Sequence, residues 1–123
     1  MTKPNIHGDE IFITNSKSVP AVDFTREGAI KVRVRHLVDE HRGSGKVVLN
    51  LYSIEKGGHT PLERHEYEHQ AYILKGKGVL KKEDGTMPLR EGTVILVPSN
   101  AIHQFVNENE EPLIYLLINA YTT

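Results

Sequence analysis

Apolar and polar side chains alternate most cleanly over Ala29 to Val38, where Ile30, Val32 and Val34 share one parity and Lys31, Arg33 and Arg35 the other. Successive side chains of an extended chain leave opposite faces, so the segment predicts a strand with one face buried and the other wet or lining a cavity. Lys46 to Ile54 carries apolar residues on both parities, as expected of a strand covered on both sides. Similar short runs continue to a last predicted strand at Leu113 to Tyr121. Between them, about every 8 to 12 residues, stand clusters that tolerate positive φ or fix the chain near −65°. These are Arg42-Gly43-Ser44-Gly45, Gly57-Gly58, Glu83-Asp84-Gly85, Arg90-Glu91-Gly92, Pro98-Ser99-Asn100 and Asn107 to Pro112. The rhythm predicts ten or so strands in an antiparallel sandwich or barrel, an all-β fold. No internal repeat, heptad or low-complexity segment interrupts it.

A chain of 123 residues is the usual size of one domain. One domain over residues 1–123 is therefore expected, with N-terminal strands at about 9–55 and a barrel core at about 46–121. The 15 basic and 16 acidic residues are scattered, apart from short clusters such as Lys31, Arg33, Arg35 and Lys81, Lys82. That distribution gives no footprint for nucleic acid or an anionic membrane. Met1 to Glu10 lacks an apolar stretch of signal-peptide type, and the longest apolar run, Leu113 to Ile118, is far short of a membrane span. A soluble cytoplasmic protein is the expectation. With no cysteine, disulfides, thiolate metal sites and a cysteine nucleophile are excluded together. Any metal must then be held by nitrogen and oxygen, and seven histidines make that worth pursuing.

Glu63 and His65 are two apart, so on a strand both leave the same face with Cβ atoms roughly 6 to 7 Å apart. His69 follows a bend expected at Glu66 to Glu68, and His103 arrives from a separate hairpin after the Pro98 to Asn100 turn. Three imidazoles and a carboxylate suit one divalent transition-metal ion, whether iron, manganese, nickel, copper or zinc. Four such ligands on one side of an octahedron leave two positions for substrate, water or dioxygen. A competing reading is local. His65-Glu66-Tyr67-Glu68-His69 spells the helical zinc-hydrolase motif H-E-x-x-H, in which the glutamate is general base. Thr60-Pro61-Leu62-Glu63 would cap that helix, and Gly76 would end it. The surrounding strands, the unexplained second histidine segment and the missing apolar stripe of helical period argue against it.

The spacing carries more than the residue types. Gly57-GHTPL-Glu63-Arg64-His65-EYE-His69-QAYILK-Gly76 and Gly92-TVILV-Pro98-Ser99-Asn100-AI-His103-QFV-Asn107 are separated by fifteen residues. At these positions the chain resembles the cupin superfamily. Its first signature is G, five residues, H-x-H, three or four residues, E, six residues, G. Its second is G, five residues, P-x-G, two residues, H, three residues, N. Lys31 to Val38 also looks like the strand preceding the first motif in small single-domain cupins. Glu63 stands where the first histidine usually is and His69 where the glutamate often is, so the ligand inventory is kept but permuted. Asn100 replaces the turn glycine, a change the left-handed region accepts.

The resemblance implies a double-stranded β-helix, or jelly-roll barrel, with the ion inside its mouth. It also implies a small-molecule ligand or substrate and a homodimer. It does not name a reaction, because the family includes dioxygenases, decarboxylases, isomerases, lyases and non-catalytic binders. Candidate pocket-lining residues are Arg33, Arg35, Tyr52, Ala71, Ile73 and Phe105, and Tyr72 offers a further hydroxyl. Core packing or a solvated face competes with that role at each of these. Gly57, Gly76 and Gly92 read as turn residues, Asn107 as a strand end, His59 as an exposed loop residue, and His7, His36 and His41 as ordinary surface or packing residues.

Overall fold

A computed structural model describes residues 10–120, and the alternating segment of the sequence is its strand β2 (Ile30–Val38). Val32 and Val34 are buried and Arg33 is exposed, as the parity requires. Two irregularities in the pairing of β2 with the next strand change that parity at its ends. Lys31 takes φ of 54° and Ile30 is left 48% exposed, whereas beyond His36 it is Leu37 that turns inward.

Around β2 the chain forms β1 (Val22–Asp23), β3 (Val47–His59), β4 (His69–Lys75), β5 (Lys77–Lys82), β6 (Gly85–Arg90), β7 (Val94–Val97), β8 (His103–Asn107) and β9 (Leu113–Ala120). Two single turns of 3-10 helix, Ser16–Ser18 and Glu40–Arg42, are the only helical residues among those described. All pairings are antiparallel. One side of the barrel runs β1-β2-β3-β9-β4-β7 and the other β3-β8-β5-β6, with β3 belonging to both. The fold is a jelly roll, with nine strands among the described residues. Tyr121, expected at the end of the last strand, lies outside the described residues.

The dual role of β3 corrects one sequence expectation. Gly57-Gly58 does not reverse the chain but lies inside β3, where residues 55–58 bulge opposite Lys31 alone. A bulge consumes a positive φ as readily as a hairpin does, here 82° at Gly57, and bends the strand from one sheet into the other. At Gly58 a side chain would meet the Ile30 carbonyl oxygen at 2.6 Å, so only glycine lets the two backbones pass. The remaining predicted turns fall between strands, and Asn100 does take φ of 65°.

The two sheets close on Ile54, Ile73, Leu113 and Tyr115, each at most 1% exposed. The Tyr115 ring stacks on Phe105 at 4.4 Å between centroids and on Tyr52 at 5.4 Å, so an aromatic column runs from the core towards one mouth. Beside it Asn107, fully buried, donates to the carbonyls of Ile54 at 2.8 Å and Glu111 at 2.9 Å and accepts from the Asn109 amide at 2.8 Å. These bonds hold the β8–β9 connection, in keeping with a strand-end role.

Candidate metal centre

The segment after β3 is laid against β8 by its backbone. Thr60 N–H donates to the Phe105 carbonyl at 2.9 Å, and Glu63 and His103 exchange both of their backbone bonds at 3.2 and 3.0 Å. Farther on, Asn100 N–H donates to the His65 carbonyl at 2.7 Å. Backbone groups engaged across strands are not free for i to i−4 bonds. Residues 61–68 therefore form no helix, and His69 opens β4. The helical H-E-x-x-H reading is overturned on this point: His65 and His69 are neighbours, but across a bend.

His65 from that segment, His69 from β4 and His103 from β8 bring a nitrogen each to one point, the three atoms lying within 4.8 Å of one another. His65 Nδ1 is hydrogen-bonded to the Tyr67 carbonyl at 2.9 Å and His103 Nδ1 to the Ala101 carbonyl at the same distance. A carbonyl accepts only, so each Nδ1 carries a proton, and in the neutral tautomer each Nε2 keeps its lone pair. Buried polar atoms normally find partners, yet His65 Nε2 and His69 Nδ1 have none. Burial, reinforced by the His65, His103 and Arg26 charges, lowers the His69 imidazole to about 3. Burial lowers His103 too, against the opposing hydrogen bond to Ala101. Three imidazole nitrogens this close together, in a cluster where two ring nitrogens lack partners, suit a first-row divalent ion.

Glu63 stands at the edge of this group. Its Oε1 is 3.9 Å from His65 Nε2, while its Oε2 pairs with Arg26 Nη2 at 2.7 Å. Arg26 comes from the loop between β1 and β2, where Ala29 N–H closes a turn on its carbonyl and a side chain at Gly28 would meet Pro61 at 3.3 Å. Neither periodicity nor motif spacing marks Arg26 in the sequence. Nor does either signal mark Tyr67, whose ring stacks on His65 at 3.9 Å and 5°.

The mouth of the barrel is a cavity of about 180 Å³. His69, His103, Glu63 and Arg26 line it together with the rings of Phe24, Tyr52, Tyr67, Phe105 and Tyr115. Burial pushes the Tyr52 phenol up to about 12, with Tyr67 adding to the effect, so this hydroxyl remains a hydrogen-bond donor at neutral pH.

Tyr52 and Phe105 are among the residues lining this cavity, whereas Arg33, Arg35, Ala71 and Ile73 are not. Ala71 and Ile73 point inward on β4 but pack in the core, and their cross-strand partners Leu117 and Tyr115 present the cavity wall instead. Arg33 and Arg35 face away from the cavity. Arg33 donates to the Ala21 carbonyl at 2.8 Å and pairs with Asp23, and Arg35 donates to the carbonyls of Ser16 and Val19. Strand parity sends both guanidiniums to the outer face, where they fasten the N-terminal segment. Tyr72 is on the outer face as well, 47% exposed. His59 ends β3 rather than lying in a loop, half-buried against the Thr60 carbonyl and Gln104. His36 bonds Asn50, and His7 lies outside the described residues.

A family model for the cupin domain matches residues 50–119. A 1-methylthio-D-xylulose 5-phosphate methylsulfurylase of Rhodospirillum rubrum is 32% identical over 73 residues, covering 58% of this chain and 47% of that protein. Auxin-binding protein 4 of Zea mays is 28% identical over 105 residues, covering 78% of this chain and 50% of that protein. The chain thus spans about half the length of these curated relatives. Among solved structures, a polyketide cyclase from Streptomyces resistomycificus superimposes with a TM-score of 0.86 at 26% identity, covering 90% of this chain and 80% of that one.

Proposed function

The chain belongs to the cupin family, and from that premise we propose that it is a metal-dependent protein acting on a small polar molecule, with Glu63, His65, His69 and His103 around one divalent transition-metal ion. The observation that carries the reading is the pair of buried, partnerless nitrogens, His65 Nε2 and His69 Nδ1, beside a third imidazole with its Nδ1 already engaged. Leaving such groups unsatisfied costs about 1–3 kcal/mol each, and an ion removes that cost.

When bound, the ion supplies a Lewis acid able to polarise an oxygen of the molecule in the cavity. The chain itself does the rest. The carbonyls of Tyr67 and Ala101 fix two imidazole tautomers, the stack of Tyr67 on His65 restrains that ring, and the aromatic walls exclude water. Tyr52 and Asn50 present polar groups to the same space. The relatives include proteins named as enzymes and one named as a binding protein, which supports a small-molecule ligand either way.

The same proposal makes the chain one functional domain and pairs it with a second copy. The outer face of β7, β4 and β9 leaves Val94 73%, Leu96 60%, Tyr72 47%, Ile118 40% and Leu74 39% exposed, and these strands are adjacent. An apolar sheet face of that kind favours association. Sedimentation of the purified chain should give a dimer that Leu96→Lys dissociates.

Elemental analysis of the metal-loaded chain tests the centre. One equivalent of a first-row ion, lost in His65→Ala and His103→Ala, is the expected result. A chain that stays empty after reconstitution with iron, manganese, nickel, copper and zinc would end the proposal. Turnover of a small oxygenated substrate, abolished by the same variants, separates an enzyme from a binder.

A further inference from the structure

Three imidazoles account for an ion, but they do not account for Arg26. Among the described residues lining the cavity it is the one permanent cation, and its side chain is 51% exposed. A guanidinium has five N–H donors in a rigid fork, and among the described residues the ion pair of Arg26 is with Glu63 Oε2. Donors are therefore left over, at the rim, facing a cavity that opens to solvent.

Directly inside this rim the wall is aromatic. Phe24, two residues before Arg26, meets Tyr52 edge to face at 5.5 Å and 78°, and Tyr52 in turn lies parallel to Tyr115. Such walls favour a flat ring, which can stack or sit edge-on against them. At about 180 Å³ the cavity falls below the range of roughly 300–1,000 Å³ typical of drug-sized ligands, which limits it to a single ring or a short chain. Charge narrows the choice further. The single Arg26 cation is already shared with the Glu63 carboxylate, so a monoanion is better matched than a dianionic phosphate.

We propose that Arg26 is the anion-binding residue of this cavity, and that the molecule it admits is a small aromatic carboxylate, acid group on the guanidinium and ring against the aromatic wall. The inference rests on the reading of the barrel mouth as the ligand site, and it does not require the ion to be present. Carboxylate and guanidinium match as two parallel hydrogen bonds, a geometry that lysine does not reproduce.

Benzoate is the probe, titrated calorimetrically into the chain loaded with zinc and, separately, into the chain stripped by a chelator. Benzyl alcohol and acetate report the ring and the charge alone, and inorganic phosphate reports a dianion. Benzoate should bind best of the four in the wild type. Arg26→Gln should weaken benzoate at least about tenfold, the size of a lost charge-assisted pair, and leave benzyl alcohol unchanged. Arg26→Lys should recover part of the loss. Circular dichroism of both variants checks the fold, which a half-exposed side chain should not disturb. Benzoate affinity that ignores Arg26→Gln, acetate or phosphate binding as tight as benzoate, or no benzoate binding at all would each overturn the inference. Arg26-dependent benzoate binding in a chain that takes up none of iron, manganese, nickel, copper and zinc would uphold it while removing the metal reading. Zinc uptake with benzoate indifferent to Arg26 would do the reverse.

Discussion

Glu63 and His103 face each other as a backbone-bonded pair, Glu63 N–H to the His103 carbonyl and His103 N–H to the Glu63 carbonyl. Directly opposed residues of antiparallel segments carry their side chains on the same face. This one bridge therefore sets residues from two separate sequence motifs side by side at the barrel mouth. It is built of main chain and needs no ion. The candidate centre is thus preorganised by the fold, and removal of a ligand side chain should be separable from unfolding.

His65→Ala, His69→Ala and His103→Ala are expected to fold and to lose the ion. In the wild type, free ion at a hundredfold excess over its dissociation constant should add about 2.7 kcal/mol to unfolding stability. Thermal melts with and without zinc read this directly: a clear upward shift for the wild type and none for the three variants. A shift that survives His103→Ala would place the ion elsewhere.

Glu63→Gln and Glu66→Gln separate the two carboxylates of the segment. Glu66 is exposed in the bend after His65, so its substitution should leave metal content and stability within about 0.5 kcal/mol of the wild type. Glu63→Gln removes the pairing charge of Arg26 and a candidate ligand. Because that ion pair is partly exposed, the stability cost should stay within about 1 kcal/mol while metal affinity falls. Competition with a chromogenic chelator gives the affinity, and urea titration the stability. Equal effects from the two variants would remove Glu63 from the site.

The strands were legible in the sequence because their signal is periodic, and the histidines because their spacing matches the two cupin motifs. Val32 and Val34 alternate with charged residues, and the spacing from Gly57 to Gly76 and from Gly92 to Asn107 marks where turns and donors fall. What was not legible depends on depth and on crossings. Parity sent Ala71 and Ile73 inward correctly but could not say that Leu117 and Tyr115 would hold the cavity wall. Arg33 and Arg35 had the chemistry of an anion site and the wrong face, whereas Arg26, in a loop without pattern, is carried to the mouth by the turn that Ala29 N–H closes on its carbonyl. Glycine pairs mark positive φ without saying whether a hairpin or a bulge uses it, which is why Gly57-Gly58 read as a turn.

Tyr52 should make stability fall in alkali. Its folded pKa, raised chiefly by burial to about 12, lies above the ordinary 10. Below pH 10 both folded and unfolded chains keep the proton and the contribution is constant. Between 10 and 12 the unfolded chain ionises first and stability declines, by about 2.7 kcal/mol in all from this residue. Burial raises Tyr115 in the same direction, so Tyr52→Phe should remove part of the slope and leave the rest. Urea midpoints measured from pH 9 upward test it, with phenolate absorbance following the ionisation. An identical slope in Tyr52→Phe and the wild type would contradict the assignment.

Gly58→Ala should damage the centre from a distance. An added Cβ would lie 2.6 Å from the Ile30 carbonyl oxygen, 2.9 Å from Ile54 Cγ2 and 3.0 Å from the Glu55 carbonyl oxygen, two of which are backbone atoms that cannot swing aside. Crowding of this kind costs about 1–3 kcal/mol. At Gly45, where nothing lies within 4 Å, the same substitution should be close to neutral. The contrast matters because β3 bends at Gly57-Gly58 before handing Thr60 and Glu63 to β8. Displacing the bend displaces that hand-over, so Gly58→Ala should lower zinc affinity as well as the urea midpoint, whereas Gly45→Ala should change neither. Loss of stability in Gly58→Ala with zinc affinity intact would show that the Glu63–His103 bridge positions the site without help from the bend.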